Sequence, residues 1–437
     1  MKDCFGRRPG LRSCLRSYLI LSSTLALAGC AGQVLNPSLN PGVPQALTPS
    51  ASQAVPGVSG GYGKTSGNIL VLLPLTGPLA PVGQALQNAA KLAAPDGVAQ
   101  PLDIRDTGGN PAGAAAAAQA GIAAGDGVIV GPLTSAETQA VVPLAKAAGV
   151  NMLAFTNDAA VAQPGVWPLG ITPAQSVQRV LQVAADAGRT QLAALLPDNV
   201  FGHHLGDAIL AETQTLSEPA PQIAFYTPGF SSVNQAVDQI SDFGTRGQGL
   251  MDQIKAARAL GTPEGRAKAR DLQHQQIPPP SFNALFIGET DENTLAELAN
   301  FLPYYDVSAP QVQFLGPAPW ANIATDMAHQ SVFVGAMYAA PDPVAAQAFD
   351  AKYQTAYGSA PPSIADVAFD AVALARVAAA SGGYTSNVLA APAGFTGTDG
   401  LVVLNPDGSV KRGLAVFSIE PGAPTISSPA PATLNQP

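Results

Sequence analysis

The sequence predicts an α/β protein whose parallel sheets are flanked by helices and divided between two lobes. Two observations support this fold class. Short apolar runs alternate with helix-forming segments, and the alternation pauses around Trp167 before it resumes. An uninterrupted apolar run indicates a strand buried on both faces, which is typical of parallel sheets. Strands and helices that alternate in series predict right-handed crossover units with helices on the sheet faces.

The first lobe is predicted from four repeats of strand, loop and helix. Its first strand is the run Ile69–Leu73, and its second helix is nearly all alanine, the residue with the highest helix propensity. The further predicted strands are residues 101–105, 128–130 and 151–155, and the predicted helices are residues 83–94, 112–124 and 136–148.

The second lobe continues the same alternation, and the chain then returns toward the first. Predicted helices are residues 173–187, 202–215, 233–260, 293–302, 345–357 and 364–381. Predicted strands are residues 192–196, 222–226, 284–287, 312–315, 332–338, 401–404 and 413–419. The last two flank the tetrapeptide Asn-Pro-Asp-Gly at 405–408, which is typical of a hairpin turn.

The first 30 residues have the layout of a secretory signal. Basic residues precede an apolar run, and small residues lead to Cys30. The run is too short to span a bilayer, which takes about 20 apolar residues. The sequence Leu-Ala-Gly-Cys resembles the lipobox of bacterial lipoproteins, and this resemblance implies cleavage after residue 29 and a lipid on Cys30. The alternatives are an ordinary signal peptide with a chance cysteine, or a short anchor.

Composition limits the functions of the rest of the chain. Of its 437 residues, 47% are hydrophobic and 12% are charged, and the net charge of −9 argues against nucleic acid as a partner. All three cysteines lie at or before position 30, so we expect no disulfide in the mature protein. Residues 30–67 are rich in Pro, Gly and Ser and predict a flexible tether, and we expect a disordered tail over 421–437.

Several segments together resemble the type I periplasmic binding proteins, the family of leucine-binding proteins. They are residues 69–84 (ILVLLPLTGPLAPVGQ), 106–111 (DTGGNP), 128–148, 153–157 (LAFTN) and 195–202 (LLPDNVFG). The lipobox and the Leu-Thr-Gly-Pro and Gly-Pro-Leu-Thr-Ser loops are most similar to outer-membrane lipoproteins that activate penicillin-binding proteins. The resemblance implies one lobe from residues 68–170 and 341–398, and another from 171–340 and 399–420. The polar insertion at 244–280 departs from the amino-acid carriers.

Ligands of open parallel sheets bind beyond the carboxyl ends of the strands, so we place a candidate cleft there. Backbone N–H groups at a helix start attract anions, which favours the loop at 133–135 as a carboxylate site. Glu289 is the candidate partner for an ammonium group. The full candidate set is Thr76, Gly77, Leu133, Thr134, Ser135, Thr156, Asn157, Asn199, Phe201 and Glu289. The alternative is that Thr134 and Ser135 only cap a helix beside a vestigial cleft.

Other polar groups have simpler interpretations. His203 and His204, with Asp207, favour a solvated helix start over a metal site, and no cofactor or metal is predicted. Arg258, Arg266, Lys268 and Arg270 form a basic patch in the insertion. We interpret this patch as a solvated helix face, with a partner surface as the alternative.

The resemblance implies a periplasmic protein without catalytic activity. A lipid is expected to anchor it to the outer membrane of a Gram-negative bacterium. Its expected partner is a peptidoglycan synthase, a penicillin-binding protein that it activates. The alternative is a binding lipoprotein that delivers an amino acid or a similar small anion to an ABC permease. An enzyme is a third hypothesis, but no residues form a coherent catalytic set.

Overall fold

Two sheets organise the protein, for which a computed structural model describes residues 62–95, 97 and 100–434. The predicted signal peptide, the lipidation site at Cys30 and most of the tether lie outside the described residues. No helix of the described residues is both long and apolar enough to cross a membrane.

The strands alternate with helices along most of the chain. The strands are β1 (Ile69–Leu73), β2 (Leu102–Asp106), β3 (Val128–Val130), β4 (Asn151–Ala154), β5 (Val166–Pro168), β6 (Leu192–Pro197), β7 (Gln222–Tyr226), β8 (Ala284–Ile287), β9 (Gln313–Gly316), β10 (Met337–Ala340), β11 (Phe395–Gly397), β12 (Gly400–Leu404), β13 (Val410–Arg412), β14 (Ala415–Glu420) and β15 (Ala423–Ser428). The helices are α1 (Ala80–Ala93), α2 (Pro111–Ala124), α3 (Ser135–Ala148), α4 (Pro173–Asp186), α5 (Val200–Thr215), α6 (Phe230–Ser241), α7 (Phe243–Ala259), α8 (Pro263–Gln273), α9 (Glu292–Tyr304), α10 (Ala324–Met327), α11 (Pro343–Tyr357), α12 (Ala365–Ala380) and α13 (Ser386–Leu389).

The first lobe is a parallel sheet with the strand order β2-β1-β3-β4-β5. Every residue of β1 is buried, as expected for a strand covered on both faces. On one face, α1 and α12 pack their alanine and leucine side chains against the sheet, and on the other face α2 and α3 do the same. The apolar runs therefore form the two-sided core that the sequence predicts.

The second lobe is a sheet with the order β15-β14-β10-β9-β8-β6-β7. The strands from β7 to β10 in this order are parallel, whereas β14 and β15 are antiparallel to their neighbours. Helices α4 and α5 cover one face, and α6, α9 and α10 cover the other. Three short segments, residues 169–172, 341–342 and 413–414, connect the lobes.

Several predicted elements differ from the structure at their ends. The strand expected at 332–338 begins only at Met337 and continues to Ala340, because Gly335 has a φ of +87° and a 3-10 turn precedes it. The helix expected at 233–260 divides into α6 and α7 at Asp242, whose φ is +49°. The turn at 405–408 joins β12 to β13, and β14 crosses to the other sheet.

The last 40 residues differ most from the expectation. Residues 399–420 were assigned to the second lobe, yet Val402, Leu404 and Val410 belong to the core of the first. Residues 421–437 were expected to be a disordered tail, but β15 pairs antiparallel with β14. Arg179 holds this strand in place by donating to the Ser428 hydroxyl at 2.7 Å and the Pro429 carbonyl at 3.0 Å.

Candidate functional site

A cleft of about 840 Å³ lies between the lobes, at the carboxyl ends of the strands of the first sheet. Loops after β3 and β4 form one wall, and Phe201 with residues 317–322 forms the wall of the second lobe. Residues 169–173 and 340–343 contribute from the connecting segments. The cleft therefore occupies the position that open parallel sheets offer to a ligand.

The structure brings six of the ten predicted site residues to this cleft. They are Leu133, Thr134, Ser135, Thr156, Asn157 and Phe201. The remaining four are not among the residues that line it: Thr76, Gly77, Asn199 and Glu289.

Thr134 caps helix α3 in the way that the alternative hypothesis expected. Its hydroxyl accepts from the Glu137 N–H at 3.2 Å and donates to the Glu137 carboxylate at 2.8 Å, and its own N–H donates to that carboxylate at 3.1 Å. Glu137 has no exposed surface and also accepts from the Thr107 hydroxyl at 2.6 Å. This reciprocal capping box already uses donors that a bound carboxylate would need.

A second acid lies beside the start of the same helix. The Ser135 hydroxyl donates to the carboxylate of Asp158, which also accepts from the Ala160 N–H at 2.9 Å. A negative charge is favourable near the first turn of a helix, so Asp158 occupies the electrostatic position of a ligand anion. An anion bound 4 Å from this carboxylate would meet a repulsion on the order of 4 kcal/mol at an effective dielectric constant of about 20.

The whole cleft has an acidic lining. Its charged lining residues are Asp158, Asp342, Asp350, Asp366 and Asp399, and no lysine, arginine or histidine lines it. Burial raises the pKa of Asp350. Among the described residues, Asp158 and Asp342 take part in no ion pair, and their charge favours a neutral or cationic occupant over an anionic one.

Three carboxyl groups and one guanidinium form a cluster at the floor of the cleft: Asp366, Asp370, Asp399 and Arg412. Arg412 donates to the Asp399 carboxylate at 3.1 Å and to the Leu169 carbonyl, and its side chain is only 2% exposed. Both oxygens of Asp370 accept from the Thr398 N–H, at 2.8 and 2.9 Å. The cluster therefore links the β11–β13 sheet to the connecting segment at Leu169.

Protonation must balance the charge of this cluster, because one cation faces three acids. Burial, with the neighbouring Asp399 charge, raises the pKa of Asp370 to about 7. Burial and the charge of Asp399 also raise the pKa of Asp366 well above its ordinary value. In both cases the charge of Arg412 acts in the opposite direction.

Glu289 has structural partners and does not line the cleft, so the structure gives no support to its predicted pairing with a ligand ammonium group. Its side chain is buried, and its carboxylate accepts from the Tyr226 hydroxyl at 2.9 Å and from the N–H groups of Thr290 and Asp291 at 2.8 and 2.9 Å. Burial and the Glu289 charge raise the pKa of Tyr226. The Trp320 indole donates to the Glu289 carbonyl at 2.8 Å, which fixes the loop further.

The other candidates outside the cleft also have local partners. Asn199 caps α5, accepting from the Gly202 N–H at 2.9 Å. The Thr76 hydroxyl donates to Asp106 at 2.6 Å, and Gly77 adopts a φ of +81° beside it. These residues shape loops and do not line the cleft.

The histidine pair lies on the surface of the second lobe. His203 pairs with Asp198 at 2.9 Å, and its ring lies tilted against the Phe225 ring with 4.6 Å between centroids. Within the part of the chain that the structure describes, no group of three or more His, Cys, Asp or Glu side chains is arranged to hold a metal ion.

Comparison with known families then identifies the fold. The profile of the periplasmic binding protein family matches residues 68–420. The chain belongs to this family. The predicted family and its two-lobe type I fold are thus confirmed. No curated protein sequence matches the chain closely enough to count as a relative.

Solved structures of similar fold include both carriers and a regulator. A protein described as a branched-chain amino acid ABC transporter from Rhodospirillum rubrum has 18% identity and a TM-score of 0.63, covering 83% of this chain and 100% of that one. The C-domain of LpoA from Haemophilus influenzae, a regulator of PBP1A, has 17% identity and a TM-score of 0.58, covering 82% and 99%. This chain spans 59% of full-length LpoA, at 16% identity and a TM-score of 0.60, with 83% of this chain covered. These family members and structures are binding or regulatory proteins, not enzymes.

Proposed function

We propose that this chain is a periplasmic lipoprotein that binds a penicillin-binding protein and activates its peptidoglycan synthesis, with no catalysis of its own. The observation that carries the proposal is the cleft. Five aspartates line it and no basic side chain does, although Arg412 pairs with Asp399 and the pKa of Asp366 is raised. Glu137 and Asp158 occupy the start of α3. Such a cleft is poorly suited to the carboxylate of an amino acid.

Activation requires a difference in affinity between two states of the synthase. A protein that binds the active conformation more tightly than the inactive one shifts the population toward activity. A rise of 5- to 150-fold in affinity corresponds to a coupling free energy of about 1–3 kcal/mol. A rigid binding fold with no reactive group is sufficient for this role.

The direct test measures glycan polymerisation by the penicillin-binding proteins of the same organism, with and without the mature chain. We expect one synthase to bind the chain and to polymerise faster. A panel of amino acids and aromatic carboxylates at 1 mM should leave the melting temperature unchanged. Micromolar binding of leucine together with no effect on any synthase would contradict the proposal.

A small-molecule carrier is the second candidate, because a cleft of about 840 Å³ is within the usual range of ligand pockets. Its acidic lining favours an amine or a neutral solute over the small anion expected from the resemblance to amino-acid carriers. A thermal shift with a diamine, and none with the matching dicarboxylate, would support this candidate.

The proposed location is the periplasmic side of the outer membrane, with a lipid on Cys30. A Cys30→Ser variant should leave the membrane fraction, whereas Cys14→Ser, within the predicted signal peptide, should not. Mass spectrometry of the amino-terminal peptide of the mature protein measures the lipid directly. An unmodified Cys30 in membrane-bound wild-type protein would contradict the anchor.

A further inference from the structure

Helices α7 and α8, residues 243–273, form an insertion hairpin on the second lobe. The two helices pack on each other through a small apolar cluster of their own, made of Ile254, Ala257, Ala269 and Leu272. This cluster is separate from the main cores of the lobe. The insertion hairpin is thus an appendage with its own packing, placed between α6 and β8.

Arg246 fixes the base of the insertion hairpin. Its guanidinium donates to the carbonyls of Ser241, Pro278 and Tyr305, each at 2.7 Å, and lies over the Phe243 ring at 5.8 Å. Phe243 in turn makes an edge contact with Tyr305, with 5.6 Å between ring centroids. The orientation of the hairpin relative to the lobe is therefore set before any partner binds, which lowers the entropic cost of binding.

The charge of the insertion hairpin is opposite to that of the protein. The chain has a net charge of −9, whereas the hairpin contains six basic and three acidic residues. Besides Arg246 at the base, its basic residues are all exposed: Lys255, Arg258, Arg266, Lys268 and Arg270. Within the described part of the chain, none of these five takes part in an ion pair. Exposed cations without acidic partners attract an acidic surface.

A groove of about 730 Å³ runs along the hairpin, beside exposed basic side chains of α7. Apolar side chains of α7 line it, together with residues 273–279 and the loop at 306–311. Met251, Lys255 and Arg258 are spaced at i, i+4 and i+7, so they share one face of α7. Two of them, Met251 and Arg258, line the groove, and Met251 is 62% exposed.

The polar lining of this hairpin groove suits a peptide backbone. Gln273, Gln275, Gln276 and Gln311 line it. Each carboxamide can donate to a backbone carbonyl and accept from a backbone N–H. A flat lipid surface could meet the exposed cations but could not enter the groove. The observations therefore favour a protein segment over a membrane.

We propose that the hairpin groove binds a short segment of the partner protein that carries both apolar and acidic side chains. The apolar side chains pack against Leu250, Met251 and Ile254, and the carboxylates pair with Lys255 and Arg258. The inference rests on the proposed function, because the partner that it assigns to the groove is the peptidoglycan synthase.

The test compares three forms of the full mature chain in binding to the penicillin-binding protein of the same organism, purified in detergent. Lys255→Glu with Arg258→Glu, called the stripe variant below, reverses two positive charges on the face of α7 beside the groove. Lys91→Glu with Lys411→Glu makes the same change in net charge on the first lobe, where both lysines are exposed. A third variant, Met251→Ser, alters the apolar wall without changing the charge.

We expect the stripe variant to bind at least about tenfold more weakly at 50 mM salt, and the difference to shrink to about threefold at 0.5 M, because salt screens exposed charges. Met251→Ser should weaken binding at both salt concentrations, and the first-lobe control should bind as wild type does. Circular dichroism and melting temperatures establish that all variants are folded.

The outcomes separate this inference from the proposed function. If wild type activates the synthase and the stripe variant binds and activates equally well, the groove assignment is wrong and the proposed function stands. If wild type neither binds nor activates any synthase, the proposed function fails, and the groove assignment fails with it. Two further results would overturn the assignment. The first is that wild type binds phosphatidylglycerol vesicles and the stripe variant does not. The second is that wild type is a dimer and the stripe variant is a monomer.

Discussion

Replacing Arg412 by methionine should destabilise the protein by an amount that grows with pH. The methionine keeps most of the length of the side chain but removes the only cation that contacts the carboxyl cluster among the described residues. Removing one partner of a buried ion pair typically costs about 3–5 kcal/mol, since a charge is left buried and uncompensated. The Leu169 carbonyl also loses its donor.

The sign of the pH dependence follows from the raised pKa values. Arg412 lowers the pKa of Asp366 and Asp370, so both rise further in the variant. An acid with a raised pKa in the folded state stabilises the fold at low pH and loses that contribution as pH rises. Keeping a carboxyl protonated costs about 1.36 kcal/mol for each pH unit above its usual pKa near 3.9. This is about 1.5 kcal/mol at pH 5 and nearly 6 kcal/mol at pH 8. Wild type already bears about 4 kcal/mol of that cost at pH 8, because the pKa of its Asp370 is about 7.

Differential scanning calorimetry at pH 5 and pH 8 measures the effect. The variant should therefore lose about 1–2 kcal/mol more at pH 8 than at pH 5, which corresponds to a melting temperature about 3–5 °C lower, relative to wild type at each pH. Lys411→Met is the matched control, because Lys411 is the exposed neighbour of Arg412 on β13. Equal losses at the two pH values would refute the idea that Arg412 compensates buried carboxylates.

Two further changes test the packing around the cleft. Glu137→Ala should cost about 3 kcal/mol in urea unfolding, because it leaves the donors of Thr107 and Thr134 unpaired. The exposed Glu264→Ala should change stability by under about 0.5 kcal/mol, and an equal effect of the two would contradict the buried cap. Gly397→Ala should cost about 2–3 kcal/mol, since its Cβ would lie 2.1 Å from an Asp370 oxygen. Gly249→Ala, with no atom within 4 Å of its Cβ, should stabilise α7 by about 0.5–1 kcal/mol. A stable Gly397→Ala protein would show that the contact with Asp370 relaxes freely.

The core strands could be predicted because their signal is local. The runs that form β1, β3 and β8 are apolar throughout, and such runs indicate a strand buried on both faces wherever it lies in the sheet. By contrast, β13 and β15 are short, polar or proline-containing, and they exist because neighbouring strands satisfy their backbone groups. Pairing of this kind depends on tertiary contacts that no local pattern encodes.

The candidate site shows the same division. The loop at 133–135 could be placed in the cleft, because it follows a predicted strand and precedes a predicted helix. Glu289 also follows a predicted strand and precedes a predicted helix. Its carboxylate, however, is buried outside the cleft, where it accepts hydrogen bonds from three donors. Asp366 and Asp399 were missed, because they come from a helix and a turn that meet only in the folded chain.

Tyr62 attaches the start of the described chain to the first lobe. Its hydroxyl donates to the Ala145 and Lys146 carbonyls at 3.2 and 3.0 Å, and its carbonyl accepts from Asn151 and Ser386. Asn151 is the first residue of β4, so this attachment lies at the amino ends of the strands, opposite the cleft. With the proposed lipid on Cys30, residues 30–61 extend at most about 110 Å. With that proposed anchor, tension in the tether would reach the folded body at the amino ends of the strands of the first lobe, at the end opposite the cleft.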